Sequence, residues 1–234
     1  ADNPAAVALG RALFFDTRLS MDGTIACASC HDPSEGWSDS RPLSLGVEDR
    51  EGGRHSMPIQ ATALQTFWFW DGRADSLWSQ AIKAIESHPE MDFTRMEVAR
   101  FMAQEYGDEY KAIFGVLPSF EGLPLRARPG LDAWASIPSS QQVEVETVFA
   151  NTGKLLEAYE RRLLCSDTHF DQWARGEHDM SAIEEAGAVA FIREGCIDCH
   201  SGPAFSDGLF HNIGWALARV FPTGGAPRGW NPLG

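Results

Sequence analysis

No apolar run in this chain approaches the roughly 20 residues that a membrane-spanning helix needs; stretches such as Ala186 to Ile192 are far shorter. Membrane insertion is therefore not expected. Positive charge is scarce, with 19 Lys and Arg against 33 Asp and Glu, and the resulting net charge of −14 repels phosphate backbones and anionic lipid headgroups. Nucleic acid is a poor partner for such a surface. Internal repetition is missing as well: the 22 Gly and 13 Pro are scattered, which excludes collagen-like and solenoid architectures. Strand-type alternation is nearly absent. The opening Ala1-Asp2-Asn3-Pro4 has neither initiator Met nor basic leader, as expected of a chain whose export leader has been removed.

What remains is a globular, mainly α chain. Its 234 residues, 44% hydrophobic with 14 Phe and 8 Trp, can fill one large domain or two ordinary ones. Helical periodicity marks Pro4 to Phe15, Ser76 to Ile85 (Leu77, Ala81, Ile82 and Ile85 on one stripe), Thr94 to Gln104, Asp108 to Phe114, Ser139 to Leu164 and Ser181 to Glu194. Ser181 with Glu184 forms a capping-box pattern. A Pro/Gly-rich stretch over 116–138, read as a linker or surface excursion, places the expected boundary between domains of residues 1–138 and 139–234.

Five cysteines carry the chemistry. Four form two matching runs, Cys27-Ala28-Ser29-Cys30-His31 and Cys196-Ile197-Asp198-Cys199-His200. C-x-x-C-H is the pattern of c-type haem attachment, in which two thioethers fix the porphyrin and the adjacent histidine reaches the iron. Structural zinc, a redox dithiol and disulfides compete for paired cysteines. Zinc does not account for a histidine directly after each pair, and a redox dithiol needs none. The leftover Cys165 is expected to close the long helix as an inert buried thiol. Thioether attachment implies export to the periplasm.

Between the two motifs lie Phe67-Trp68-Phe69-Trp70-Asp71-Gly72-Arg73 and His88-Pro89-Glu90-Met91. Taken alone, such clusters are most often core and surface. Together with Leu13-Phe14-Phe15-Asp16, Cys30-His31-Asp32-Pro33, Gln80-Ala81, Ala158-Tyr159-Glu160-Arg161 and Phe210-His211-Asn212-Ile213-Gly214, however, they make the chain similar to the bacterial di-haem cytochrome c peroxidase superfamily. The resemblance implies two cytochrome c-like helical domains, each with one covalent haem c. His31 and His200 would be the proximal iron ligands. The first haem, on Cys27 and Cys30, would be the peroxidatic centre, and the second, on Cys196 and Cys199, the electron-transfer centre. Trp70 matches the tryptophan between the haems, Gln80 and Glu90 the pair facing the first iron, and Arg73 a structural or propionate-binding residue.

Three departures from the family pattern refine this reading. The loop after the first motif, Leu45-Gly46-Val47-Glu48-Asp49-Arg50, lacks the histidine that caps the peroxidatic iron in many members, and His55 is the sole histidine between His31 and Trp70. An open first site, as in the MauG-like branch, is expected. Ser56 stands where other members use Asn at a calcium ion between the domains, which weakens that expectation. After His200 there is neither Met nor Tyr, the usual distal ligands of the second haem, and His211 is the one conventional ligand left; further residues are expected beyond Gly234. The implied activity is reaction with hydrogen peroxide, followed by oxidation of a partner protein residue. The alternatives are peroxide removal with electrons from a small cytochrome or cupredoxin, and a di-haem electron carrier.

Overall fold

The structure, a computed structural model, describes residues 3–165 and 167–212. Its helices follow the apolar periodicity closely. Helix α1 is Pro4–Phe14, started by Pro4 and by the Asn3 side chain, which accepts from the Ala5 amide at 3.0 Å. Its Leu9, Leu13 and Phe14 are buried. A single turn, α2 (Cys27–Cys30), carries the first cysteine pair. Helix α3 (Leu77–Glu86) buries Leu77, Ala81 and Ile85 at four-residue spacing. Helix α4 (Arg95–Glu105) opens with a capping box, Thr94 and Glu97 bonding each other's backbone. Then come α5 (Gly107–Phe114), α6 (Asp132–Ala135), α7 (Ser139–Glu160), α8 (His169–Ala174) and α9 (Ala182–Arg193). Among the described residues there is no β-strand, only isolated bridges such as Asp32 with Ser38.

The chain divides into two units, one ending at Met180 and the other beginning at Ser181. The boundary expected at 138/139 thus falls inside the first unit. The reason is α7, which packs against α1, α3 and α4 and is the spine of that unit's core. Two of these crossings are too close for a side chain. A Cβ on Gly10 would lie 1.8 Å from the Leu155 carbonyl oxygen, and one on Gly153 would lie 2.6 Å from that of Trp78. The Pro/Gly-rich stretch is laid across α4: Arg100 Nη2 donates to the carbonyls of Phe120 and Leu123 at 2.6 and 2.7 Å, and Met96 N to that of Ala127 at 3.3 Å. Phe120, Ala127, Trp134 and Ile137 from this stretch are buried.

Helix α7 stops four residues short of the expected Leu164, and Cys165 is exposed, not buried. The cause is local. Residues 161–164 leave the helix in turns, and the Leu163 carbonyl is taken by the Ala61 amide at 2.7 Å. In the second unit, α9 begins at a capping box in which Glu184 accepts from the Ser181 amide at 2.8 Å. Gly195, at φ 78°, turns the chain into the second cysteine pair. The end of the Phe210 to Gly214 motif and everything from there to Gly234 lie outside the described residues.

Candidate functional site

The first motif is shaped by the loop behind it. Asp32 N and Ser38 O pair at 2.9 Å, and Trp37 N donates to the Asp32 carbonyl at 2.8 Å, closing a tight loop over 32–38. That loop brings the Trp37 carbonyl to 3.2 Å from His31 Nδ1. A carbonyl can only accept, so Nδ1 carries the proton and Nε2 keeps the lone pair. Burial pushes the His31 imidazole below its ordinary range, against the pull of the Trp37 and Met57 carbonyls, which keeps it neutral. The second motif repeats the device: His200 Nδ1 lies 3.0 Å from the Phe205 carbonyl oxygen. Both histidines therefore present the tautomer that a metal ligand requires.

Cys27, Cys30 and His31 line a cavity of about 400 Å³ whose walls also include Trp70, Gln80 and Glu90. This volume falls in the range of cofactor pockets. Burial pushes the Cys27 thiol up, with a further push from Glu160, and burial raises Cys30 also. None of the five cysteines is in a disulfide. Among the described residues the one cluster with metal-ligand spacing is Cys199, Asp207 and His211, which takes one cysteine from the second motif and none from the first.

Glu90 sits in the segment between α3 and α4. Its Oε1 accepts from Ser87 Oγ at 3.2 Å, and burial raises its carboxyl above the ordinary range while Ser87 and Arg73 pull the other way. Gln80 reaches the same cavity from α3. Trp70, 53% exposed, donates its indole N–H to the His55 carbonyl at 2.8 Å. Arg73 stacks 3.5 Å over the Phe69 ring and pairs with Asp71 at 2.8 Å. Asp71, also held by Arg54, is lowered to about 2, chiefly by its hydrogen bond from Arg73. His55 has both ring nitrogens engaged, Nε2 with Ser38 Oγ at 3.1 Å and Nδ1 with the Arg41 carbonyl at 2.9 Å. The Ser56 hydroxyl is 2.7 Å from that of Ser44, and its carbonyl accepts from Ser38 at 2.7 Å.

Sequence reading gave no role to two further cavity residues. Glu160 is buried, lines the cavity, and has an Oε2 with no hydrogen-bond partner; burial holds its carboxyl near pH 8. The Trp68 indole N–H is likewise buried and unpartnered at the cavity wall. An acid four residues after the buried Leu156 breaks the apolar face of α7, and that was the available signal. Orphaned polar atoms of this kind are rare unless a ligand satisfies them. Together with the neutral, anchored His31 and the two cysteines on one wall, they fit a c-type haem.

A family model described as di-haem cytochrome c peroxidase matches residues 4–179. The chain belongs to that family. It is 34% identical, over 90% of its own length and 53% of the relative's, to the methylamine utilization protein MauG of Methylorubrum extorquens. The same identity, over 92% of this chain and 52% of the relative, relates it to the cytochrome-c peroxidase IdrP1 of Denitromonas iodatirespirans. The chain thus spans about half the length of the curated relatives it matches. Its fold superposes on the diheme peroxidase BthA of Burkholderia thailandensis with a TM-score of 0.71, over 88% of this chain and 54% of that one at 19% identity. Family membership implies two haem groups.

Proposed function

We propose that this chain is part of a MauG-like di-haem oxidoreductase acting on hydrogen peroxide, in which Cys27, Cys30 and His31 would hold the haem that reacts with peroxide. Cys196, Cys199 and His200 would hold a second haem, Trp70 would relay oxidising equivalents toward it, and their destination would be a residue of a partner protein. Haem, when bound, supplies the iron that receives peroxide and the capacity to store two oxidising equivalents. The chain's own groups do the rest. His31, its Nδ1 proton committed to the Trp37 carbonyl, would offer Nε2 as an electron-rich ligand to the iron. Glu90 takes a proton from the incoming peroxide and returns it to the departing oxygen, and its burial-raised carboxyl suits both halves of that exchange. Gln80 orients peroxide by hydrogen bonding, and Arg73 would supply the positive charge for a haem propionate. Periplasmic residence goes with thioether attachment, and no described helix is long and apolar enough to cross a membrane.

The observation that carries this reading is the company of Glu90 and Gln80 in the His31 cavity, where His55 is hydrogen-bonded through both ring nitrogens to Ser38 and the Arg41 carbonyl. An electron carrier has no use for an acid–base residue in such a cavity. The similarity to cytochrome-c peroxidase IdrP1 favours a second reading, peroxide removal with electrons from a small cytochrome or cupredoxin. Optical spectra of the ferric holoprotein test the first step: a high-spin haem whose spectrum responds to peroxide is expected, and two low-spin haems indifferent to peroxide would refute it. Steady oxidation of a reduced cytochrome would select the second reading. Modification of a co-expressed neighbour protein would select the first.

A further inference from the structure

The segment that carries Glu90 is held by a charged cluster centred on Asp92. That carboxylate is 7% exposed. Arg50 Nη1 donates to its Oδ2 at 2.8 Å, Arg126 Nη2 donates to its Oδ1 at 2.5 Å, and His88 Nδ1 lies 2.9 Å from Oδ2. Arg50 also donates to the His88 carbonyl at 2.9 Å and pairs with Glu48. The backbone repeats the tie. Val47 N donates to the Glu90 carbonyl at 2.8 Å, Met21 N donates to that of Met91 at 2.9 Å, and a Cβ on Gly46 would lie 2.2 Å from the Pro89 oxygen.

The 46–50 loop and the 87–92 segment are therefore one assembly, with no space for a side chain where their backbones meet. Glu48, Asp49 and Asp92 adopt φ of 55°, 56° and 45° within it, a conformation that L-residues hold only where their surroundings impose it. A buried carboxylate satisfied by two guanidiniums can be plain structural pairing. Here, though, the clamp ends two residues from the carboxyl that faces the cavity.

We infer that Asp92 is a positioning residue: it ties the 87–92 segment to the 46–50 loop through Arg50 and to the 116–138 stretch through Arg126, holds His88 within the segment, and so sets the Glu90 carboxyl in the cavity before peroxide arrives. This inference rests on the role given to Glu90 above.

The test uses the holoprotein and two rates, the reaction with peroxide and the association of cyanide. Hydrogen cyanide binds ferric haem as the anion and leaves its proton on the same carboxylate, so its association reads the position of Glu90 without turnover. Asp92→Asn is expected to slow both rates by about 10- to 100-fold, the size of effect that an ångström-scale misplacement produces. In the Glu90→Gln background, Asp92→Asn is expected to add nothing, because both changes remove the same function. Arg50→Met carries the same test should Asp92→Asn fail to load haem, and Arg50→Lys is expected to recover part of the loss. Slowing in Asp92→Asn that multiplies with that of Glu90→Gln, or an unchanged cyanide rate, overturns the inference. If Glu90→Gln slows both rates and Asp92→Asn slows neither, the inference falls alone. If Glu90→Gln changes neither rate, the role of Glu90 falls and takes the inference with it.

Discussion

Replacing Glu90 by Gln removes one ionisable oxygen and leaves the shape of the side chain intact, which makes it the sharpest single perturbation of this site. Ser87 Oγ donates to Oε1 at 3.2 Å in the native segment, and the amide oxygen of Gln can accept the same bond. The fold should be unaffected. The reaction should not, because Gln cannot take a proton from peroxide. General acid–base groups contribute factors of about 10² to 10⁴, or about 3 to 5 kcal/mol of barrier. Burial moves the Glu90 carboxyl upward from its ordinary 4.5, toward the operating pH, where a base that must also act as an acid is most effective. The loss should therefore fall in the upper half of that range, about 10³-fold or more. The carboxyl must be ionised to accept the proton, so the native rate should fall as pH drops through a limb lying above 4.5, and the variant should lack that limb. Stopped-flow absorbance with excess peroxide across pH 4 to 8 measures both effects. A variant with normal haem content that reacts within about threefold of the native rate, or that keeps the acid limb, would refute the reasoning.

Three further outcomes are expected. Glu160, raised by burial from 4.5 to about 8, makes the native state bind more protons than the unfolded chain between those values, so stability falls as pH rises through that window. The full span is on the order of 5 kcal/mol, so Glu160→Gln should flatten the pH dependence of thermal unfolding and melt above the native protein at pH 8.5; parallel curves would contradict this. Gly10→Ala would force a methyl to within 1.8 Å of the Leu155 carbonyl oxygen, and should cost about 1–3 kcal/mol through separation of α1 from α7, read as a lower melting temperature. Asp32 accepts from the Ser34 amide and hydroxyl at 2.7 Å each within the loop that carries the Trp37 carbonyl. Asp32→Ala should loosen the His31 bond, make the imidazole a poorer donor and raise the reduction potential of the first haem; an unchanged potentiometric midpoint would count against it.

The helices were legible because their signals are local. Pro4 after Asn3, the Thr94 and Glu97 box, and the four-residue spacing of Leu77, Ala81 and Ile85 each act within one or two turns, and the boundaries fall within a residue or two of those positions. The division of the chain was not legible, since the partners of α7 lie far away in sequence and a run of prolines and glycines can be pinned to α4 through its backbone carbonyls as readily as it can link domains. Cys165 was misplaced for a similar reason: the Ala61 amide that captures the chain at Leu163 leaves no mark nearby. At the site, the cysteine pairs and their histidines were readable from spacing alone. Trp70, Gln80 and Glu90 came from the resemblance, and the structure brings them to the wall of one cavity with His31. Glu160, Trp68 and the Asp92 clamp depend on burial and on contacts between distant loops, which no local pattern reports.

The central claim is that this polypeptide carries two thioether-bound haems, one per C-x-x-C-H motif. Intact-mass measurement of the protein purified from a host able to attach haem c, paired with its absorption spectrum, tests it most directly. The mass should exceed that of the bare chain by two haems, and should drop by one when Cys27 and Cys30, or Cys196 and Cys199, are changed to serine. A colourless protein with the mass of its amino acids alone would contradict the account.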